Sequence, residues 1–401
     1  MKMILKFLKK IPKSSFSFRL PPKKKLIVFD DETHNDLKHI LIEKDYYILS
    51  IRGENVNKFY LNPLIFLKMI LNFNGNLWTS YLIAIIKIVS PKVIITFTDN
   101  NIKFFEIAKI LQDKINFFAI QNGARYDLNR NIHSFNVGLS NNNINQKYFI
   151  PNFFCFGDYE VKDYTEKNIT IGKFYPVGSL RLANYLKEKG DEVFKKSFNI
   201  NYQYDILLIS DAILTDFDHR FGFIGDADLM GKFVNFLIKY VRSNNKKFLC
   251  SLKRLNSHKK NLNLELEFYK KYLSKDDYEY FLKNSTLNFE RKKYLSYDLM
   301  MKSELTIATY STILRENLSL GRKSLSVNFM KNDIFEFPID GIFKQTNCSY
   351  DEFDTKLNEI LKLDSKEYLE KIKNNHQFLM KFDNEFSTID KITKIINQYL
   401  N

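Results

Sequence analysis

The chain has 401 residues and carries 61 Lys and Arg against 46 Asp and Glu, a formal charge of +15. That length exceeds the needs of one ordinary α/β domain and suits two, each with its own core. A composition of 45% hydrophobic and 27% charged residues excludes extended disorder. The positive balance favours an anionic partner, whether nucleic acid, anionic lipid or a nucleotide-linked substrate. Part of it is compositional, since Lys, Asn, Ile and Phe are heavily used beside 13 Gly and 8 Pro. No RNP, zinc-finger or helix-turn-helix signature is present, so nucleic acid is set aside as a partner. Cys155, Cys250 and Cys348 are odd in number and lack paired spacing, which points to a reducing, cytoplasmic compartment.

Residues 1–24 form a basic N-terminal segment in which Ile4, Leu5, Phe7 and Leu8 alternate with lysines. The apolar run is too short for a signal peptide or an anchor. It reads either as an interfacial helix on the anionic inner-membrane surface or as a basic tail. The longest apolar stretch, Tyr81 to Val89, is broken by Lys87 and falls short of the ~20 residues that span a bilayer.

From Lys25 onward short apolar runs alternate with helical patterns, the mark of βαβ units and a parallel sheet. Strands are predicted to end at Asp30, Ile51, Phe97, Ile120 and Gly157, with helices over 62–72, 81–90 and 101–112. A strand KFYPV then leads to a helix ending near Gly190. A second series follows: the strand YDILLIS, a helix over 227–243, the strand KKFLCSLK, a helical region over 262–283, a strand to Thr309, a helix over 311–320 and a strand to Phe329. The expected fold class is α/β, with an N-terminal Rossmann-like domain (25–190), a linker (191–204), a second Rossmann-like domain (205–363) and C-terminal helices (364–401). The final helix is expected to cross back to the first domain. Ligands of such folds sit at the carboxyl ends of the strands, in a cleft between the halves.

The strongest local pattern is ATYSTILRENLSLGRKSLSVNF, where a strand ends at Thr309-Tyr310-Ser311-Thr312 and a helix begins at once. Free N–H groups at that helix start, with the hydroxyls of Ser311 and Thr312, suit a phosphate, and the helix dipole adds to the attraction. Glu316 lies one turn on, within reach of a ribose. An ordinary N-cap by Ser311 is the plainer reading. Asp211 follows the strand YDILLIS and is the leading candidate for catalysis, either as nucleophile or oxocarbenium stabiliser in a retaining reaction or as base in an inverting one. Asp216, Asp218, His219 and Asp226 compete for that role but lack the spacing of a calcium or zinc site. Lys253 and Arg254 end the strand FLCSLKR, where they can meet phosphate charge, and His258 lies a few residues on. In the first half, QNGAR offers Gln121, Asn122 and Arg125 as donors around Gly123, and Asp30 ends the first strand. Gly178 and Ser179 open a helix with Arg181 in its first turn, a further anion site unless Ser179 merely caps. The absence of GxxxxGK[ST], GxSxG and Cys-nucleophile motifs sets aside the common NTPase and hydrolase readings.

The run from Ser296 to Phe329, with QNGAR and FYPVGSLR, resembles GT-B transferases. It is similar above all to the surface carbohydrate branch that includes capsule and O-antigen proteins, Kdo transferases and CDP-glycerol glycerophosphotransferases. Three motifs over about half of the chain carry the likeness. The resemblance implies a GT-B fold and a metal-independent glycosyltransferase without cofactor, taking a nucleotide-activated sugar donor and a glycan or lipid-linked acceptor. It implies donor-binding roles for Ser311, Thr312 and Glu316, with Tyr310 in the same turn. Many relatives carry His-Pro where this chain has SLKRLNSH, which counts against the glycerophosphotransferase. A sugar-nucleotide 2-epimerase, a CDP-glycerol-type glycerophosphotransferase and a non-catalytic envelope-pathway binding protein are the alternatives.

Overall fold

The computed structural model describes residues 15–50, 56, 58–125, 148–167, 169–190, 202–211, 227–254, 259–290, 292–330, 335–383 and 387–401. Asp216, Asp218, His219, Asp226, His258 and the leading apolar-basic segment lie outside the described residues. The chain divides into two compact units. Met1–Asn122, Ser140–Asn184 and Met380–Asn401 supply the first, and Gly123–Leu139 with Tyr185–Leu379 supply the second.

In the first unit, β1 (Ser15–Ser17) pairs in parallel with β4 (Lys58–Tyr60) as a small separate ribbon. The main sheet uses β2 (Leu26–Asp30), β3 (Tyr46–Ser50), β5 (Val93–Thr96), β6 (Asn116–Ile120), β7 (Phe149–Cys155) and β8 (Thr170–Pro176). Its order is β3-β2-β5-β6-β7-β8, all parallel. β2 and β5 are buried along their whole length, which is why they read as unbroken apolar runs.

Three helices of this unit begin at side-chain caps. In α1 (Pro63–Leu71) the Asn62 side chain accepts from the Leu64 amide, and in α2 (Leu77–Val89) Asn76 accepts from Trp78 and Thr79. Asn101 accepts from Phe104 to start α3 (Ile102–Leu111). The apolar run at Tyr81–Val89 belongs to α2, most of whose residues are buried within the unit. α4 (Asp158–Glu166) follows, and α5 (Leu180–Lys189) begins in this unit, its residues from Tyr185 onward clustering with the second. The sequence reading assigned no element to β1, β4, α4 or the 3-10 helix Asp31–Leu37. Their runs are short, or, in α4, too polar for an apolar period to stand out.

The second unit holds a five-stranded parallel sheet in the order β10-β9-β11-β12-β13. Its elements in chain order are β9 (Tyr204–Ile209), α6 (Ala227–Ser243), β10 (Phe248–Ser251), α7 (Lys259–Tyr272), α8 (Lys275–Lys283) and α9 (Leu295–Met301). Then come β11 (Ser303–Ala308), α10 (Thr312–Ser319), β12 (Ser324–Asn328), β13 (Lys344–Thr346), α11 (Tyr350–Lys362), α12 (Ser365–Ile372) and α13 (His376–Leu379). The segment expected as a separate C-terminal block is divided. α12 and α13 stay with the second unit, where Arg315 of α10 donates to the Leu379 carbonyl at 2.5 Å.

The last helix, α14 (Thr388–Leu400), packs in the first unit. Its Ile389, Ile392 and Ile396 enter one core with Val28, Ile95 and Phe118 of the sheet. Thr388 donates to the Val177 carbonyl at 2.6 Å, and Gly178, at φ +92°, leaves room for the Lys381 carbonyl, which a Cβ would meet at 2.1 Å.

Candidate functional site

Both sheets have a switch point, where the chain winds away in opposite directions from two adjacent strands and leaves their carboxyl ends uncovered by connections. In the second unit it lies between β9 and β11. An aspartate bridges it. Asp211, just past β9, accepts hydrogen bonds at Oδ2 from the Thr309 amide at 2.6 Å and the Tyr310 amide at 3.2 Å. The turn between β11 and α10 is thereby tied to the end of the neighbouring strand. A second tie comes from Ser326 of β12, which donates to the Thr309 carbonyl at 2.6 Å.

Asp211 is buried, and burial pushes its carboxyl up from the ordinary 3.8 to about 6. The Lys253 ammonium and the two amides pull the other way, whereas Glu265 adds to the rise. The Lys253 ammonium donates to the Asp211 backbone carbonyl at 2.7 Å. Lys253 therefore ends up beside the switch point, while Arg254 enters the same neighbourhood through its backbone.

Glu265 organises that neighbourhood and was not among the residues singled out from sequence. It accepts from the Lys253 amide at 3.1 Å, the Arg254 amide at 2.8 Å and the Ser210 hydroxyl. Tyr269 donates in turn to Ser210 at 2.8 Å. Burial raises the Glu265 pKa despite these donors. A sequence signal existed: Leu262, Glu265 and Tyr269 fall at helical spacing on the buried stripe of α7, and an acid on an apolar stripe needs partners.

The turn itself has an open helix start. Ser311 is the N-cap of α10 in extended conformation, yet its side chain makes no capping hydrogen bond. The plain capping reading of Ser311 is thus not realised, and the first-turn amides of α10 receive no bond from that hydroxyl. Ser311, Thr312 and Tyr310 are half-buried, with the Tyr310 ring 5.4 Å from that of Phe335. The Thr312 hydroxyl oxygen accepts from the Ala124 amide at 2.8 Å. Glu316 is set inside the unit, 2% exposed, where it accepts from the Tyr297 hydroxyl at 2.9 Å.

The QNGAR residues separate. Gln121 and Asn122 stay with the first unit, while Gly123 and Arg125 cluster with the second. Gln121 is buried, donating to Glu160 at 3.3 Å and accepting from the Phe156 amide at 2.9 Å, so its amide is used internally. The Asn122 amide donates to Asp99 at 3.3 Å. A Cβ on Gly123 would lie 3.2 Å from the Arg125 guanidinium and 3.5 Å from the Thr312 hydroxyl, so a small residue keeps that approach open.

Asp30 occupies the switch point of the first unit, between β2 and β5. It is buried and accepts from Ser50 at 3.1 Å, Thr96 at 3.2 Å and Asn101 at 3.1 Å, a bridge comparable to that of Asp211. Ser179 caps α5 by accepting from the Leu182 amide at 3.2 Å. Arg181 pairs with Asp36 at 3.7 Å and lies over the Phe97 ring at 5.3 Å, so its charge has a carboxylate neighbour. Among the described residues no cluster of three or more His, Cys, Asp or Glu is arranged to hold a metal ion.

The two doubly wound parallel sheets define an α/β protein of the GT-B class. The wall teichoic acid polymerase TagF has a similar structure, with TM-score 0.52 at 12% identity over 94% of this chain and 89% of that one. UDP-GlcNAc 2-epimerase from Methanocaldococcus jannaschii, in complex with UDP-GlcNAc and UDP, gives TM-score 0.52 at 15% identity over 93% and 99%. The S. aureus MnaA–UDP structure gives 0.51 at 12% over 94% and 97%. No protein-family model matches the chain, and no curated protein does.

Proposed function

We propose that the chain is a glycosyltransferase that moves a sugar from a nucleotide-activated donor to a surface polysaccharide or lipid-linked glycan acceptor. The observation that carries this reading is the start of α10, where the N-cap hydroxyl makes no bond to the helix while Asp211 and Ser326 tie the preceding turn. A helix start of this kind is a site for donor phosphate. A preorganised turn costs no rearrangement when phosphate charge builds up on the departing nucleotide. Lys253, beside Asp211, supplies a cation to the same end of the sheet. In this reading no divalent ion is needed, and Asp211 either positions the turn or, at a pKa of about 6, takes up a proton near neutral pH. The first unit takes the acceptor, and the reaction is cytoplasmic, at the inner membrane face.

The likeness to TagF and to the UDP-GlcNAc 2-epimerases supports a nucleotide-linked donor. Thermal shift against UDP-GlcNAc, CMP-, GDP- and CDP-linked compounds tests this, since a ligand at 100 times its Kd stabilises by about 2.7 kcal/mol. No shift with any of them rejects the donor site. The epimerase architecture favours a second reading, a sugar-nucleotide 2-epimerase. Incubation with UDP-GlcNAc alone separates the two, because an epimerase turns over without an acceptor.

A further inference from the structure

α1 is apolar on every side, with Lys68 its only charged residue. Its inner residues, Ile65 and Met69, are buried, and Phe66 faces the rings of Phe59 and Tyr81. Among the described residues the outer side has no such cover: Leu67 is 53% exposed, Ile70 66% and Leu71 73%. Helices apolar all round are normally enclosed, and a contiguous exposed patch of this kind marks an interaction surface. The patch extends onto the end of β1, because Asn62 donates to the Phe18 carbonyl at 2.9 Å and the Leu61 amide to Ser17 at 2.7 Å. Phe18 there is 75% exposed.

The segments that carry this patch have charges of one sign. Residues 58–73 carry Lys58 and Lys68 and no acid, and residues 15–25 carry Arg19, Lys23, Lys24 and Lys25 and no acid. Lys24 is paired with Asp45, whereas Arg19, Lys23, Lys25 and Lys58 are exposed. Near the end of α1, burial lowers the Lys87 pKa first, and the neighbouring Lys114 and Lys68 lower it further, so cations crowd there as well. An apolar face on segments whose charged residues are all cationic fits a bilayer whose headgroups are negative.

We propose that the outer face of α1 and the adjoining end of β1 form a docking surface for an anionic lipid bilayer. This goes beyond the donor reading and does not rest on it. The test is co-sedimentation of the full chain with vesicles of phosphatidylcholine and phosphatidylglycerol, and with phosphatidylcholine alone. Binding is expected on the anionic vesicles only, weakening as salt is added. Leu67→Glu with Ile70→Glu should lower the partition coefficient at least about tenfold. Lys23→Gln and Lys25→Gln should each lower it roughly fivefold. All four positions are exposed, and unchanged melting temperatures verify that the variants fold. Equal binding of the Leu67→Glu, Ile70→Glu variant and the parent overturns the proposal, as does equal binding to neutral vesicles. It is also overturned if removing residues 1–14 alone abolishes binding while the double variant retains it. A parent that is dimeric by size exclusion, beside a monomeric double variant still bound to vesicles, assigns the face to a second copy instead.

Discussion

Asp211 shows how one side chain serves geometry and charge together. With its folded pKa near 6 and its ordinary value at 3.8, the group favours the folded state fully below pH 3.8, and that contribution is lost as pH rises through about 6. The difference of about two units amounts to about 3 kcal/mol. Urea unfolding between pH 3 and 8 should therefore show the parent losing about 3 kcal/mol relative to Asp211→Asn, whose amide does not titrate in this range. Parallel stability curves for the two would contradict the raised pKa. Asp211→Ala should cost about 2 kcal/mol or more relative to Asp211→Asn, because the Thr309 and Tyr310 amides lose their acceptor.

Ser311 permits a test with two readouts of opposite sign. Ser311→Asp supplies the cap that α10 lacks and should raise stability by up to about 1 kcal/mol. The same carboxylate would occupy and repel the proposed phosphate position, so nucleotide affinity by calorimetry should fall. Unchanged affinity would remove donor phosphate from this helix start. The candidacy of Asp211 and Ser311 was legible in sequence, since a residue just past an apolar strand or opening a helix has few possible positions. The roles of Gln121 and Glu316 were not, because their partners Glu160 and Tyr297 are distant in the chain.

At the scale of elements, the strands were legible because parallel strands covered on both faces are continuous apolar runs. α6 spans the expected residues 227–243 because its apolar residues recur at helical spacing. Short or exposed pieces such as β4 and β13 were missed because too few residues carry the period. The turn at Gly178 is the joint where α5 begins and α14 docks. Gly178→Ala would force a left-handed φ on a Cβ residue and drive that Cβ into the Lys381 carbonyl. It should lower stability by at least about 2 kcal/mol in thermal or urea unfolding. A loss within error would mean the carbonyl moves aside freely.

For the whole molecule, the first unit is assembled from three chain segments, and its core includes Ile389, Ile392 and Ile396 from the last of them. Ile392→Ala should cost about 3 kcal/mol, the usual range for a large-to-small change in a packed core. A fragment ending at Gly190 lacks α14 and would expose the sheet face that these residues cover. Such a fragment should aggregate, and joining residues 380–401 to it should restore solubility and cooperative melting. A soluble, cooperatively folding fragment without α14 would show that this helix is dispensable to the core.

By itself the sequence determined the α/β class and most of the longer strands and helices, because apolar period, turn residues and caps act over a few neighbouring positions. The tertiary structure alone decided which acids would be bridges. Asp30 and Asp211 both sit at switch points, but only the adjacency of β2 with β5 and of β9 with β11 brings donors to them. The physical reason is that burying a carboxylate requires hydrogen-bond donors from elsewhere in the chain, and their identity depends on strand order, which local patterning does not encode.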